Sequence, residues 1–231
     1  ENQYDENGVL LYPDGEPRFK VIYTNGGSSL SHAASLYPEG TDRIRDFYFN
    51  GGSYTGSCAG SAIFSSGRSG NTIEPTYYRL WGGFIKPHSV ESISVGLTIP
   101  ADSPLLTYYN YGADSYIDNV RFNKGNNINQ SYTIPEGTEI LLYYDCSDQP
   151  MHGQIASWAY KDSEQSGRGV VIGCHPEAYS FGERLELMSA MISYALDGLG
   201  SPDVKACLDK NETRIMNKNW NTLPPFSNIV K

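Results

Sequence analysis

The 231-residue sequence has few basic residues and lacks long apolar runs. No segment approaches the ~20 consecutive apolar residues that a bilayer-spanning helix needs. Its 17 Lys and Arg residues stand against 26 Asp and Glu residues, which gives a formal net charge of −9. The basic residues form no stripe along the chain. Nucleic acids and anionic membrane surfaces carry negative charge, so we expect neither as a partner.

Several motifs of cofactor and metal chemistry are also missing. The sequence has no His-Glu-x-x-His, no Cys-x-x-Cys, no Walker lysine after a Gly-rich loop and no Gly-x-Gly-x-x-Gly. We therefore predict no metal site and no cofactor. A chain of this length suits one α/β domain, which buries a core without metal or disulfide staples. We predict a single domain over residues 1–231.

Cysteine is scarce, with four residues in the chain: Cys58, Cys146, Cys174 and Cys207. This number fits either one reactive thiol with a disulfide and a spare cysteine, or four reduced thiols. Cys207 lies in an Asn-rich, irregular tail, which makes it the natural candidate for a tethering disulfide.

The composition is typical of a secreted or lumenal protein. Lysine is sparse, and the chain has 18 tyrosines and many Asn, Gly and Ser residues. Two sequons, at Asn129 and Asn211, lie in polar segments and are candidate glycosylation sites. A leader peptide is not visible, but a mature chain would have lost it. We expect a secreted or lumenal location.

A cysteine lies at the centre of a small-residue turn, Gly56–Gly60. The pattern predicts a strand over 53–57, a sharp turn at Cys58 and a helix directly after it, which is the arrangement of a nucleophile elbow. A helix that begins after Cys58 directs its positive dipole end at the sulfur and favours the thiolate. The alternative is an inert cysteine that acts as a small hydrophobic residue.

The segment before the elbow predicts a βαβα unit. A strand over 19–23 ends at Gly26 and Gly27, and Thr41 is the expected N-cap of a helix that leads into the elbow strand. Such a unit forms parallel strands, so the Gly-Gly loop and Cys58 are expected at one edge of the sheet.

Residues 71–132 predict a mostly β excursion, because short β-prone runs alternate with Pro and Gly. Residues 1–18 are interpreted as an N-terminal extension and residues 200–231 as an irregular tail. The excursion is rich in aromatic residues, which either line a substrate cleft or pack a β layer. They are Tyr77, Tyr78, Trp81, Phe84, Tyr108, Tyr109, Tyr111 and Tyr116.

Three strong strands follow, over 139–144, 155–160 and 169–173, and they predict a meander. A capping box that begins at Ser180 predicts the start of a core helix with a stop at Gly198.

The third of these strands ends in His175-Pro176-Glu177. A cysteine nucleophile needs a base to take its proton and a further group to orient that base. His175 suits the first role and Glu177 the second, whereas a surface turn is the alternative. The other histidines, His32, His88 and His152, have no such context.

Together, these motifs resemble the class I glutamine amidotransferase-like superfamily. The likeness is closer to the family named after the amino-terminal domain of eukaryotic biotin–protein ligases, and it spans about 21–199. The residues that carry it are Asn25-Gly26-Gly27, Ile44-Arg45, Asn50-Gly51-Gly52-Ser53-Tyr54, the elbow, Tyr109-Asn110-Tyr111-Gly112, Gly167-Arg168-Gly169 and His175-Pro176-Glu177.

The resemblance implies a flavodoxin-like three-layer α/β sandwich with a largely parallel central sheet. It further implies a triad of Cys58, His175 and Glu177. Its oxyanion hole maps to the backbone N–H groups of Gly27 and Ala59, and its substrate-binding segment to Tyr111 and Gly112.

We therefore predict a cysteine-dependent hydrolase that forms a thioester on Cys58, with a small-molecule or peptide amide as substrate. The alternatives are a non-catalytic binding or structural protein and a redox protein that uses Cys58 or Cys174. The family begins with a further strand and helix, for which the 26 residues before Gly27 are too few. Either the N-terminal segment is rearranged, or a separate N-terminal fragment or partner chain completes the sheet.

Overall fold

A seven-stranded sheet with helices on both faces forms the centre of the fold, and a small second sheet lies beside it. The computed structural model describes residues 9–12, 15–70 and 72–200. Within these ranges, no helix has the length and apolar character needed to cross a membrane. The strands are β1 (Val21–Thr24), β2 (Ser53–Ser57), β3 (Gly67–Arg68), β4 (Phe84–Pro87), β5 (Ile93–Thr98), β6 (Tyr116–Phe122), β7 (Asn126–Ile128), β8 (Glu139–Asp145), β9 (Ile155–Lys161) and β10 (Arg168–Ile172).

The first and third α-helices each follow a strand closely along the chain. The chain passes from β2 into the third helix through Cys58 alone, as the elbow pattern predicts. The first helix is capped by Ser28, whose Oγ accepts a hydrogen bond from the Ser31 N–H at 3.3 Å. The α-helices of the described ranges are α1 (Ser29–Leu36), α2 (Glu39–Phe49), α3 (Ala59–Phe64) and α4 (Glu183–Leu196).

The strand order of the large sheet is β1-β2-β10-β9-β8-β5-β6. β2 pairs in parallel with β1 on one side and β10 on the other. Because parallel strands bring their carboxyl ends to one edge, the loops after these three strands are neighbours. These loops carry Gly26, Cys58 and His175, so the topology assembles the predicted site.

The predicted α/β sandwich is confirmed, and its parallel part consists of the three strands that carry the site. The other neighbouring strands of the large sheet, from β10 to β6, pair antiparallel. The antiparallel part of the sheet is therefore larger than the prediction of a largely parallel sheet implies. β5 and β6, from the predicted excursion over 71–132, extend the large sheet at its far edge. β4 and β7 join β3 in the small sheet.

Alternation along the strands divides the core into two clusters, one on each face of the large sheet. On β10, Val170 and Ile172 belong to the cluster that packs under α4, whereas Val171 belongs to the cluster under α2 and α3. Trp81 and Trp158 pack together in the second cluster, with ring centroids 5.2 Å apart. This arrangement makes the three layers of the sandwich.

Two predicted helix starts are wrong. α2 begins at Glu39, so Thr41 lies inside the helix and is fully buried instead of capping it. Glu39 and Asp42 favour the earlier start because carboxylates are stabilised near the positive end of a helix. α4 begins after Gly182 with no side-chain cap, so Ser180 opens no capping box.

Candidate active site

Cys58 occupies a sharp backbone turn that hydrogen bonds hold from both sides. Its φ of 47° and ψ of −102° lie outside the ordinary regions for a non-glycine residue, a conformation that costs on the order of 1–3 kcal/mol. The Cys58 N–H donates to the carbonyl of Ile172 at 2.9 Å. The Cys58 carbonyl accepts from Ser61 Oγ at 2.7 Å and from Asn126 Nδ2 at 2.9 Å.

His175 and Glu177 form a hydrogen-bonded pair at the end of β10. Nδ1 of His175 lies 2.9 Å from Oε1 of Glu177. The pair is largely shielded from solvent, with side chains 15% and 25% exposed. The backbone N–H of His175 donates to the carbonyl of Arg121 at 2.9 Å, so β6 fixes the backbone at the start of the His175–Glu177 segment. The structure thus brings His175 and Glu177, two of the predicted site residues, within hydrogen-bond distance of each other.

Gly26 allows His175 and Cys58 to approach each other. A Cβ atom at Gly26 would lie 2.3 Å from Cε1 of His175 and 3.4 Å from Cβ of Cys58. Real Cβ atoms do not come within 2.3 Å of a ring carbon, so any side chain here would displace the imidazole. The two side chains therefore lie next to each other, against the same residue of the Gly-Gly loop.

The protonation of His175 is set by its two neighbours. Burial disfavours the imidazolium, but the interactions with Cys58 and with Glu177 outweigh burial and raise the pKa of His175 to about 10. Nε2 of His175 is buried and has no hydrogen-bond partner among the described residues. Because Nδ1 is held by Glu177, Nε2 is the nitrogen left to exchange a proton with a reacting group.

Two further side chains extend the pair, and the sequence reasoning missed both. Ser57 Oγ donates to Oε1 of Glu177 at 2.8 Å, and the Tyr23 hydroxyl lies 3.1 Å from Ser57 Oγ. Because Ser57 directs its one hydroxyl proton at Glu177, the Tyr23 hydroxyl is the donor to Ser57 Oγ, and burial raises the pKa of Tyr23 to about 12. Ser57 directly precedes Cys58, which is the one sequence signal for its role. Tyr23 carries no such signal.

Cys58 and His175 open into a cavity of about 770 Å³. Gly27 and Ala59, the predicted oxyanion-hole residues, also line it, so the structure brings four of the predicted site residues together. None of the described residues that line the cavity is Phe, Tyr or Trp. Of the aromatic residues of the excursion, Tyr77, Tyr78 and Trp81 are buried in the core cluster under α2 and α3.

Two predicted substrate-binding residues lie elsewhere. Tyr111 is fully buried in the cluster under α4, and Gly112 lies beside the carboxylate of Glu183. Neither is among the residues that line the cavity at Cys58. Of the predicted glycosylation sites, Asn129 is half-buried after β7, and Asn211 lies outside the described residues.

The other described cysteines are unbonded. Cys146 and Cys174 are free thiols, as is Cys58, so the prediction of a disulfide finds no support within 9–12, 15–70 and 72–200. Cys207 lies outside these ranges. Burial raises the pKa of the fully buried Cys174 thiol, which makes it a poor nucleophile.

The described part of the chain has no cluster of side chains suited to bind a metal ion. No group of three or more His, Cys, Asp or Glu side chains there is placed to hold a metal ion.

The fold defined by these elements is that of the glutamine amidotransferases. The sequence matches no protein-family model and no curated protein. Solved structures nevertheless share the architecture. A structure described as glutamine amidotransferase superposes with a TM-score of 0.52 and 16% identity, over 75% of this chain and 79% of that one.

Two more solved structures share the fold at a similar level. PurLQS from Thermotoga maritima has a TM-score of 0.51 and 15% identity, over 76% of this chain and 80% of that chain. A thua-like protein from Bacteroides uniformis has a TM-score of 0.51 and 16% identity, over 78% of this chain and 72% of that one. The likeness to the class I glutamine amidotransferase-like superfamily is thus confirmed for the fold.

Proposed function

We propose that the chain is a cysteine-dependent hydrolase of amide C–N bonds, with Cys58 as nucleophile, His175 as general acid and base, and Glu177 as the group that orients His175. One observation carries the proposal. Cys58 lies at a strained strand-to-helix turn beside a shielded His175–Glu177 pair, and both open into the same cavity. Covalent catalysis requires a nucleophile, a base beside it and a group that orients the base, and these three side chains can fill those roles.

The first half-reaction forms a thioester. Nε2 of His175 holds the proton of Cys58, and the resulting thiolate attacks the amide carbonyl carbon, so that the electron pair of the C=O bond moves onto oxygen to give a tetrahedral oxyanion. The oxyanion collapses, the C–N bond breaks, and Nε2 of the His175 imidazolium gives its proton to the leaving nitrogen. The raised pKa of His175 supplies the imidazolium for this step.

The second half-reaction hydrolyses the thioester. Nε2 of His175, now neutral, takes a proton from water as the water oxygen attacks the thioester carbonyl. Collapse of this second oxyanion breaks the C–S bond and releases a carboxylic acid. The sum is amide and water to acid and amine, with Cys58 and His175 returned to their starting states.

The backbone N–H groups of Gly27 and Ala59 are the proposed donors to both oxyanions. Ala59 is the first residue of α3, where N–H groups have no partner within the helix. Gly27 lines the same cavity from the loop after β1. Preorganised donors of this kind lower an acyl-transfer barrier by about 3 kcal/mol each.

Within the amidotransferase fold, we propose kinship with the family named after the amino-terminal domain of biotin–protein ligases. The motifs that carry this likeness pack against each other in the fold. Gly26 abuts His175, and a Cβ atom at Gly167 would lie 2.1 Å from the carbonyl oxygen of Gly52. The small residues in these motifs therefore permit close backbone contacts.

The test measures amide hydrolysis by the purified chain as the release of ammonia or amine from a panel of carboxamides. Cys58→Ala is expected to lower turnover by roughly a thousandfold or more. Cys146→Ala is the matched control, because Cys146 is also a free thiol but does not line the cavity. It is expected to retain full activity.

Full activity in Cys58→Ala would overturn the proposed mechanism. The alternative, a non-catalytic binding protein, predicts a site closed by aromatic side chains. It also predicts that Cys58 is alkylated no faster than free cysteine. The open cavity without Phe, Tyr or Trp among its described lining residues favours the hydrolase.

A further inference from the structure

The cavity at Cys58 differs in charge from the chain as a whole. The chain carries a formal charge of −9, with 26 Asp and Glu residues. Among the described residues that line the cavity there is no Asp or Glu, whereas Arg68, Lys124 and His88 are present beside His175. The carboxylates that contact the lining residues, Glu91 and Glu177, are paired with Lys124 and His175, so Arg68 leaves the lining with positive charge that favours anions.

Arg68 is the cation best placed to bind an anion there. It belongs to β3, is half-buried and lines the cavity. No carboxylate of the described residues forms an ion pair with it, although other arginines of the chain, such as Arg45 and Arg184, pair with aspartates. A guanidinium presents a planar set of N–H donors that matches the two oxygens of a carboxylate. Arg68 is therefore available for a ligand.

The other basic side chains are less available. Lys124 Nζ lies 2.6 Å from Oε1 of Glu91, and both side chains are more than half exposed. Solvent screens this pair, and the carboxylate of Glu91 offsets the positive charge of Lys124. Lys124 therefore adds little to the attraction of an anion into the cavity. Nε2 of His88 lies 2.5 Å from Oδ1 of Asn127, to which it donates. His88 is therefore held in place by Asn127, and it lines the same cavity as Arg68.

We propose that the substrate of this cavity is an amide that carries a carboxylate and no free ammonium group, and that Arg68 binds the carboxylate. The inference rests on the proposed hydrolase function, since it concerns the same cavity. The cationic Arg68 attracts the carboxylate. An ammonium group would leave water without a lining carboxylate to pair with, which is unfavourable. N-blocked amino acids, peptide carboxyl ends and dicarboxylic acid monoamides have this chemistry, whereas free glutamine does not.

Binding to the Cys58→Ala chain tests the proposal without turnover. Isothermal titration compares N-acetylglutamine, which has the carboxylate alone, with neutral N-acetylglutaminamide and with zwitterionic glutamine. We expect N-acetylglutamine to bind about tenfold more tightly than either. Arg68→Gln is expected to abolish the preference over the neutral probe, and Arg68→Lys to keep part of it.

Lys20→Gln is the matched control, because Lys20 is exposed just before β1, at the opposite edge of the sheet. It removes one positive charge from the same chain and should leave the preference unchanged. Equal binding of the three probes, no binding at millimolar concentration, or a preference that survives in Arg68→Gln would overturn the proposal.

The two proposals fail in different ways. If amides are hydrolysed and N-acetylglutaminamide is as good a substrate as N-acetylglutamine, the carboxylate proposal is overturned and the hydrolase stands. If N-acetylglutamine binds through Arg68 but Cys58→Ala hydrolyses amides as well as the unmodified chain does, the carboxylate proposal stands and the mechanism through Cys58 is overturned.

Discussion

The position of Cys58 is fixed by its backbone and not by its thiol. Its N–H and carbonyl bond to Ile172, Ser61 and Asn126, which belong to three different elements of the fold. The strained turn therefore persists when the sulfur is removed. For this reason Cys58→Ala is a clean variant for testing both proposals.

The charge on His175 makes the stability of the chain depend on pH. Its pKa is raised from 6.5 in the unfolded reference to about 10 in the fold. A raised pKa adds stability that is fully present below pH 6.5 and is lost as the pH rises to about 10. We therefore expect the difference in free energy of unfolding between the unmodified chain and His175→Gln to shrink across this window.

Urea unfolding at a series of pH values measures this difference. His152→Gln, in the turn between β8 and β9, serves as the control for the pH dependence of the rest of the chain. A difference that stays constant or grows as the pH rises would contradict the assignment of a charged His175 in the folded state.

The three side chains of the proposed triad could be identified from the sequence, and the residues around them could not. Cys58 and His175 each follow a strand with a recognisable local pattern, and Glu177 is two residues from His175. Asn126 begins β7 and donates to the carbonyl of Cys58, which is 68 residues away in the sequence, so no local pattern announces this contact.

 The backbone N–H of Asn126 also donates to the carbonyl of Gly173. This contact joins distant parts of the chain, so it exists only in the folded sheet.

The helix α3 depends on a close backbone contact at its first turn. A Cβ atom at Gly60 would lie 2.1 Å from the carbonyl oxygen of Thr24, at the end of β1. Because that oxygen belongs to the backbone, it has little freedom to move away. We expect Gly60→Ala to lower the free energy of unfolding by roughly 1–3 kcal/mol, since overpacking forces the backbone to shift.

Thermal or urea unfolding measures this loss, with Gly82→Ala as the matched control. A Cβ atom at Gly82 would make only an ordinary contact, 3.6 Å from Pro135. Gly82→Ala should therefore leave stability nearly unchanged. Equal stability of Gly60→Ala and Gly82→Ala would contradict the close packing of α3 against β1.

Local patterns predicted some elements well and others poorly. The strand over 53–57 and the helix after Cys58 are where the small-residue pattern places them. The helix α1, Ser29–Leu36, was not predicted, because its serines favour caps and turns as much as helix interiors. Its N-cap bond from Ser28 and its contact with α3 stabilise it in the fold.

For the whole molecule, the sequence predicts the fold class but not the full strand order. The βαβα unit identifies β1 and β2 as parallel neighbours, and the meander identifies β8, β9 and β10. The sequence does not show that β5 and β6 extend the same sheet beyond β8, because that pairing joins strands from distant parts of the chain. Tertiary packing, and not local sequence, sets the pairing of strands that lie far apart in the chain.

The organisation of the sheet explains why the site lies where it does. β2 is flanked by its two parallel neighbours, so the loops that carry Gly26, Cys58 and His175 open at one edge. The antiparallel strands from β9 to β6 widen the sheet and bring Arg121 to the backbone of His175. The site is thus assembled by the parallel centre and held by the antiparallel extension.

The central claim is that Cys58 forms a covalent acyl intermediate. Its most direct test is intact-protein mass spectrometry of the chain after acid quench of its reaction with p-nitrophenyl acetate, followed by peptide mapping. We predict one acetyl group on Cys58, released by neutral hydroxylamine as expected for a thioester, absent in Cys58→Ala and longer-lived in His175→Gln. Hydrolysis of the ester without any acyl adduct on Cys58 would contradict the account.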